Sequence, residues 1–199
     1  MGSTRRGVGS LKQGSQLNIG LTQRIFFHKE RAYDSIEHGW YRYLLNHTLS
    51  FIPNDPTQDF DQLAKNIDCL IITGGDDSAL RRVVELRIAT AMMKLTKPIL
   101  GVCHGAFMLT DILGGSLKED QQHMDTDHSV WYNHVPISVN SFHTNVINMP
   151  HSSATIIATD NDGNTEAWID GNISAVVWHP ERQTTPWLPP EIQNKFFTI

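Results

Sequence analysis

The chain has 199 residues, about 40% of them apolar, and a formal net charge of −5 at neutral pH. That length suits one domain with a packed core, and the negative balance excludes a global basic field for nucleic acid. No apolar run approaches the ~20 residues that a membrane-spanning helix needs.

Residues 1–16 are rich in Gly, Ser, Arg and Lys and read as a flexible leader or tag without secretory character. The fold is expected over residues 17–199, starting with a strand at 17–22. Residues 37–47 read as a helix, with Trp40, Tyr43, Leu44 and His47 on one face. A short strand at 49–52, closed by Pro53, precedes a short helix at 60–66. Residues 68–73 form a nearly all-apolar strand that ends at Gly74-Gly75. A strand apolar on both sides belongs in the middle of a sheet covered on both faces. The longest helix is expected over 78–95, with Ser78 as its N-cap and Pro98 beyond its end. Residues 98–102 are the next buried strand, followed by a helix at 104–113 that stops at Gly114-Gly115.

This alternation argues for an α/β fold around a mostly parallel sheet. Past Gly115 the pattern turns strand-like over 129–139, 154–159, 165–169 and 173–178, with turn-forming segments between. A brief last helix is expected from about Pro190.

Two cysteines cannot build a disulfide framework, and a free thiol fits a reducing cytoplasm. Cys69 lies mid-strand and reads as a small buried hydrophobe. Cys103 differs. Gly101-Val102-Cys103-His104-Gly105 joins a buried strand to a helix, the G-x-nucleophile-x-G layout of a nucleophile elbow. A Cβ at either flanking glycine would clash with the neighbouring strand or helix. The turn lifts the sulfur out at the C-terminal edge of the sheet, where open α/β folds bind ligands. A helix N-terminus favours a thiolate there, and the N–H of His104 can help hold an oxyanion.

A thiol nucleophile needs a histidine partner. Among ten histidines, His179 stands out because His179-Pro180-Glu181 follows another buried strand. Pro180 biases His179 to an extended shape, so residues 179 and 181 point the same way. Glu181 can then orient one imidazole nitrogen while the other faces Cys103.

Together Ile72-Thr73-Gly74-Gly75, Gly101-Val102-Cys103-His104-Gly105 and Trp178-His179-Pro180-Glu181 resemble the three signature blocks of class I glutamine amidotransferases. The likeness runs from about residue 17 to near the C-terminus. It implies a flavodoxin-like three-layer sandwich with a mostly parallel central sheet. It also implies a γ-glutamyl thioester on Cys103 and an oxyanion hole at Gly75 and His104. Thr22-Gln23-Arg24, Asn140-Ser141-Phe142-His143 and Trp178-His179-Pro180-Glu181-Arg182 narrow the match to the free-standing γ-glutamyl hydrolase branch. Within it the chain is most similar to γ-glutamyl-CDP-amidate hydrolases and γ-glutamyl-γ-aminobutyrate hydrolases. On that resemblance Arg24, Gly74, Phe107, Asn140, Ser141, Phe142 and His143 are expected to contact the substrate. Phe107 is a departure: the family usually has Gln four residues after the nucleophile, to hold the glutamyl backbone. An aromatic ring cannot make that hydrogen bond.

Two weaker features remain. The segment from His123 to His128 could suggest a metal site, but without a further ligand it reads as a solvated loop. Arg24, His28, Lys29 and Arg31 form a small basic cluster after the first strand. It suits a phosphate or carboxylate of the substrate, or is ordinary surface charge.

The expected function is hydrolysis of a γ-glutamyl amide by Cys103, His179 and Glu181, without cofactor or metal. The expected partner is a small-molecule γ-glutamyl substrate, not nucleic acid or membrane. Two alternatives stay open: a glutaminase subunit that passes ammonia to a separate synthetase partner, and a non-catalytic binding module on the same fold.

Overall fold

The computed structural model describes residues 16–120 and 126–197. The leader expected over 1–16 lies outside them, save for Gln16. Chain order begins with β1 (Asn18–Thr22), a hairpin of β2 (Arg24–His28) and β3 (Arg31–Ser35), helix α1 (Gly39–Tyr43) and β4 (Thr48–Ile52). Helix α2 (Phe60–Asn66), β5 (Cys69–Ile72), helix α3 (Ala79–Lys94), β6 (Ile99–Val102) and helix α4 (His104–Ile112) follow. The second half holds β7 (Ser116–Glu119), β8 (Thr126–Tyr132), β9 (Val135–Ser141), β10 (Asn145–Met149), β11 (Thr155–Thr159), β12 (Thr165–Asp170) and β13 (Ile173–Val176). A 3-10 turn at Pro180–Arg182 and helix α5 (Pro190–Phe197) complete the described chain.

The sheet runs β4-β1-β5-β6-β13-β12-β11-β8-β9, with β10 against β12 and β7. Its first five strands are parallel; the remainder is antiparallel. The expected α/β architecture is therefore present, with a large antiparallel extension. Every residue of β5 and of β6 is buried, as strands covered on both faces require. Ser78 caps α3 by accepting from the N–H of Arg81 at 3.3 Å. Among the described residues no helix is long and apolar enough to cross a membrane.

Register decides where the site falls. Ala175 lies opposite Gly101, and Val176 opposite Val102; Ile72 lies opposite Gly101 on the other side. Three adjacent strands therefore deliver Gly74-Gly75, Cys103 and His179 to one edge.

Four local expectations differ from the structure. The helix expected over 37–47 is confined to α1. The single strand expected over 129–139 is a hairpin of β8 and β9, because Asn133 and His134 both adopt positive φ, 48° and 65°. Paired left-handed residues make the tight turn whose twist suits a hairpin, and His is an unusual occupant. Strands β2, β3, β7 and β10 were not expected, being short and largely exposed without strict alternation. The strand expected over 173–178 ends at Val176, although the buried run continues to Glu181.

The elbow glycines are needed for packing. A Cβ on Gly101 would lie 2.6 Å from the carbonyl oxygen of Gly105, and one on Gly105 would overlap the carbonyl of Ile72. Both obstacles are backbone. Gly105→Ala should therefore destabilise the fold by roughly 1–3 kcal/mol, read as a lower urea midpoint. An unchanged midpoint would mean that α4 does not press on β5 in this way.

Candidate active site

Cys103 stands between β6 and α4 at φ 51° and ψ −106°. A non-glycine residue there is strained by about 1–3 kcal/mol. The strain is held by neighbours: the N–H of Cys103 donates to Val176 on β13 at 3.0 Å, and its carbonyl accepts from Phe107 at 3.1 Å. The side chain opens into a cleft of about 380 Å³, within the size range of small-molecule sites.

His179 is buried and bridges Cys103 and Glu181. Its Nδ1 lies 2.7 Å from Oε1 of Glu181, which leaves Nε2 for the sulfur. Burial opposes charge on the ring. Hydrogen bonds to Cys103 and Glu181, with their charges, outweigh that and push its pKa up to about 9. Asn140 fixes the backbone of His179 from both sides: Nδ2 donates to its carbonyl at 2.9 Å, and Oδ1 accepts from its N–H at 2.8 Å. The Phe142 ring meets the imidazole edge-on at 5.7 Å. Gly74 is required against the opposite side, since a Cβ there would overlap Cε1 of His179.

Gly75 has φ +119° and lines the cleft beside Cys103 and His104. Arg24 braces this loop: its Nε donates to the Gly74 carbonyl at 2.9 Å, and Nη2 pairs with Glu37 at 3.1 Å. Glu37 also takes Arg182 at 2.8 Å, and Arg182 lies over the Phe142 ring at 4.7 Å. Burial raises the Glu37 carboxyl, but Arg182 and then Arg24 hold it below the usual range.

Behind the loop lies a buried charge network that the sequence reading missed. Nε2 of His104 is 2.7 Å from Glu85 Oε2. Glu85 Oε1 accepts from Arg81 at 2.8 Å and from the Thr22 hydroxyl at 2.8 Å. Arg81 also donates to the Thr73 carbonyl at 2.6 Å. Burial works against charge on Glu85, but bonds and charges from His104 and Arg81 outweigh it and lower its pKa. The missed signal was Arg81 and Glu85 on the same helical stripe as Val84, Ile88 and Met92, all buried. Charge on a core stripe is rare unless paired.

The structure thus gathers Cys103, His104, Gly74, Gly75, His179 and Glu181 at one edge. Phe107, Phe142 and His143 line the cleft, with the Phe107 and His143 rings 5.7 Å apart. The expected substrate contacts divide. Asn140 is spent on the His179 backbone, and Ser141 is wholly buried. Two donors of Arg24 are bound to protein groups. The segment at 123–128, read as a solvated loop, lies partly outside the described residues, and among those described no group of His, Cys, Asp and Glu forms a metal cluster.

The two cysteines should differ in reactivity. Burial, aided by Asp68, pushes the Cys69 thiol up to about 12, so it stays neutral and covered. Brief iodoacetamide treatment of native protein should label Cys103 and spare Cys69, as read by peptide mapping. Preferential labelling of Cys69 would reverse the assignment.

Comparison with known proteins gives the family and the fold. The family model for class I glutamine amidotransferases matches residues 31–199. A glutamine amidotransferase-like protein of Lactococcus lactis is 29% identical over 196 residues, covering 78% of this chain and 82% of the relative. The γ-glutamyl-CDP-amidate hydrolase of Campylobacter jejuni is 24% identical over 181 residues, covering 83% and 90%. Among solved structures, a GMP synthase subunit from Thermoplasma acidophilum superposes with a TM-score of 0.71 at 18% identity, covering 93% of this chain and 94% of that one. A glutamine amidotransferase of Thermotoga maritima gives 0.66 at 14% identity, covering 91% and 80%. These structural matches establish shared fold. The chain belongs to the class I glutamine amidotransferase family.

Proposed function

We propose that the chain is an enzyme that hydrolyses a γ-glutamyl amide through a thioester on Cys103. The observation that carries this reading is the alignment of Cys103, His179 and Glu181 at the strained elbow. The Cys103 sulfur attacks the side-chain carbonyl, and the N–H groups of Gly75 and His104 hold the oxyanion. The C–N bond breaks as protonated His179 gives its proton to the leaving amine. Water then attacks the thioester with neutral His179 as base, releasing glutamate and the thiol. Asp76, Asp77 and Asp111 line the cleft with Arg82, which pairs with both Asp77 and Asp111 and leaves a net negative charge. This acidic wall suits the α-ammonium group of a glutamyl substrate. A reducing cytoplasm suits the free thiol.

The leaving group is read as larger than ammonia, with a γ-glutamyl-CDP-amidate in surface polysaccharide modification as one such substrate. Phe107, in place of the usual glutamine, and the named relative from Campylobacter jejuni support this. A second reading, a glutaminase subunit serving a synthetase, draws on similarity to a glutamine-hydrolysing GMP synthase subunit of Sulfurisphaera tokodaii, 24% identical over 157 residues. Comparing glutamine with γ-glutamyl-aminobutyrate and γ-glutamyl-CDP-amidate separates the two. A larger amide should turn over fastest, and Cys103→Ala should remove activity by several orders of magnitude while the fold persists. Glutamine turning over fastest, and only when a synthetase is added, would favour the second reading.

The pH dependence follows from His179. Its pKa is raised, so the proton needed by the leaving amine is present at neutral pH and lost as pH rises through about 9. The basic limb of kcat/KM should fall there. Glu181→Gln removes one of the groups that raise the value, so the limb should move to lower pH. A limb unmoved by Glu181→Gln would detach Glu181 from the proton transfer.

A further inference from the structure

We propose that one face of the β2–β3 hairpin is the leaving-group subsite, and that it takes an amine carrying both phosphate and a planar ring, as in a nucleoside diphosphate. The proposal rests on the γ-glutamyl hydrolase reading and adds a location and a chemistry to it. The hairpin register places Arg24 opposite Ser35, Phe26 opposite Tyr33 and His28 opposite Arg31. Opposed residues, and residues two apart, share a face. One face therefore carries Arg24, Phe26, His28, Arg31, Tyr33 and Ser35.

Arg24 shows which way this face looks. Its side chain reaches the Gly74 carbonyl, on the loop that touches His179. The opposite face is anchored only at its base, where Asp34 accepts from the side chain and N–H of Asn54 at 2.6 and 3.0 Å, and Phe27 farther out is 67% exposed. The strip from Arg24 outward thus begins beside the imidazole that protonates the leaving amine. The glutamyl half of the substrate belongs in the cleft at Cys103, so its other half must leave on the His179 side.

Charge and ring chemistry on this strip fit one class of ligand. Two guanidiniums, Arg24 and Arg182, share the single carboxylate of Glu37, which leaves one positive charge in excess. His28 and Arg31 add further donors at the far end, offset in part by Glu30 at the tip. Between them Phe26 and Tyr33 are 55% and 45% exposed, and the Phe26 ring stacks on His28 with centroids 6.4 Å apart. Large rings left open to water, flanked by cations, suit a stacked base and its phosphates. The tip is a tight two-residue turn, with Lys29 and Glu30 both at positive φ, 46° and 62°.

The test is calorimetric titration of the whole protein with CDP, cytidine and inorganic pyrophosphate, run beside an assay of γ-glutamyl-p-nitroanilide hydrolysis. CDP should bind more tightly than either fragment. Phe26→Ala and Tyr33→Ala should each weaken CDP about 5- to 100-fold and spare pyrophosphate. Arg31→Ala should weaken both CDP and pyrophosphate. Phe27→Ala, on the opposite face, should leave CDP binding unchanged and controls for damage to the hairpin. No CDP binding, equal affinity in all four variants, or variants that alter only self-association would overturn the proposal. If CDP fails to bind while the anilide is cleaved, the hairpin inference falls and the hydrolase reading stands. If CDP binds as expected but no γ-glutamyl amide is cleaved, the hydrolase reading falls and the leaving-group role with it, and the hairpin is left as a nucleotide-binding face only.

Discussion

The backbone of Cys103, held at φ 51° between a buried strand and a helix, is the constraint on which the rest of the site depends. A cysteine does not adopt this conformation unaided. Hydrogen bonds to Val176 and Phe107 over-determine it, and only glycine fits at positions 101 and 105 because the facing atoms are backbone. The same compression of β5, β6, α4 and β13 brings Gly74-Gly75 and His179 to the sulfur. Fold and chemistry therefore meet at one turn, where a local strain of a few kcal/mol is offset by a wholly buried sheet centre.

Three carboxylates organise the surroundings of that turn. Glu181 holds the imidazole, Glu85 holds the His104 and Arg81 side chains, and Glu37 holds Arg24 and Arg182. Each is buried or half-buried, where an unpaired charge would be costly. Paired, they fix the side chains and backbone around Cys103. Glu85 anchors the residue whose N–H is proposed for the oxyanion hole, and Arg81 draws the Thr73 carbonyl, just before Gly74, toward the same network. Preorganised donors of this sort contribute most to stabilising charge in a transition state.

Much of this was legible because it depends on local rules. All-apolar runs at 69–72 and 99–102 marked buried parallel strands, Ser78 marked a helix start, and paired glycines marked the elbow. His179-Pro180-Glu181 carried its own geometry through Pro180. What stayed hidden depends on contacts between distant segments. Asn140 pins His179 across 39 residues, and no local pattern separates that task from substrate contact. Arg24 looked like a free cation at a strand end, yet Gly74 lies 50 residues away and accepts its bond. The β8–β9 hairpin escaped because a His occupies a left-handed turn position normally left to Gly or Asn.

The surroundings of Cys103 are asymmetric. On one side of Cys103 the cleft is enclosed by Phe107, His143 and acidic residues. Around His179 stand Phe142, with Arg182 over its ring, and the Gly74 carbonyl, held by Arg24. Every part of this account requires that the acyl group pass through the Cys103 sulfur. Mixing the protein with a γ-glutamyl amide, quenching in acid during turnover and mapping peptides by mass tests this directly. The account predicts one glutamyl group on the peptide carrying Cys103, and none on the peptide carrying Cys69. Turnover of the amide with no adduct on Cys103, or with an adduct elsewhere, would contradict it.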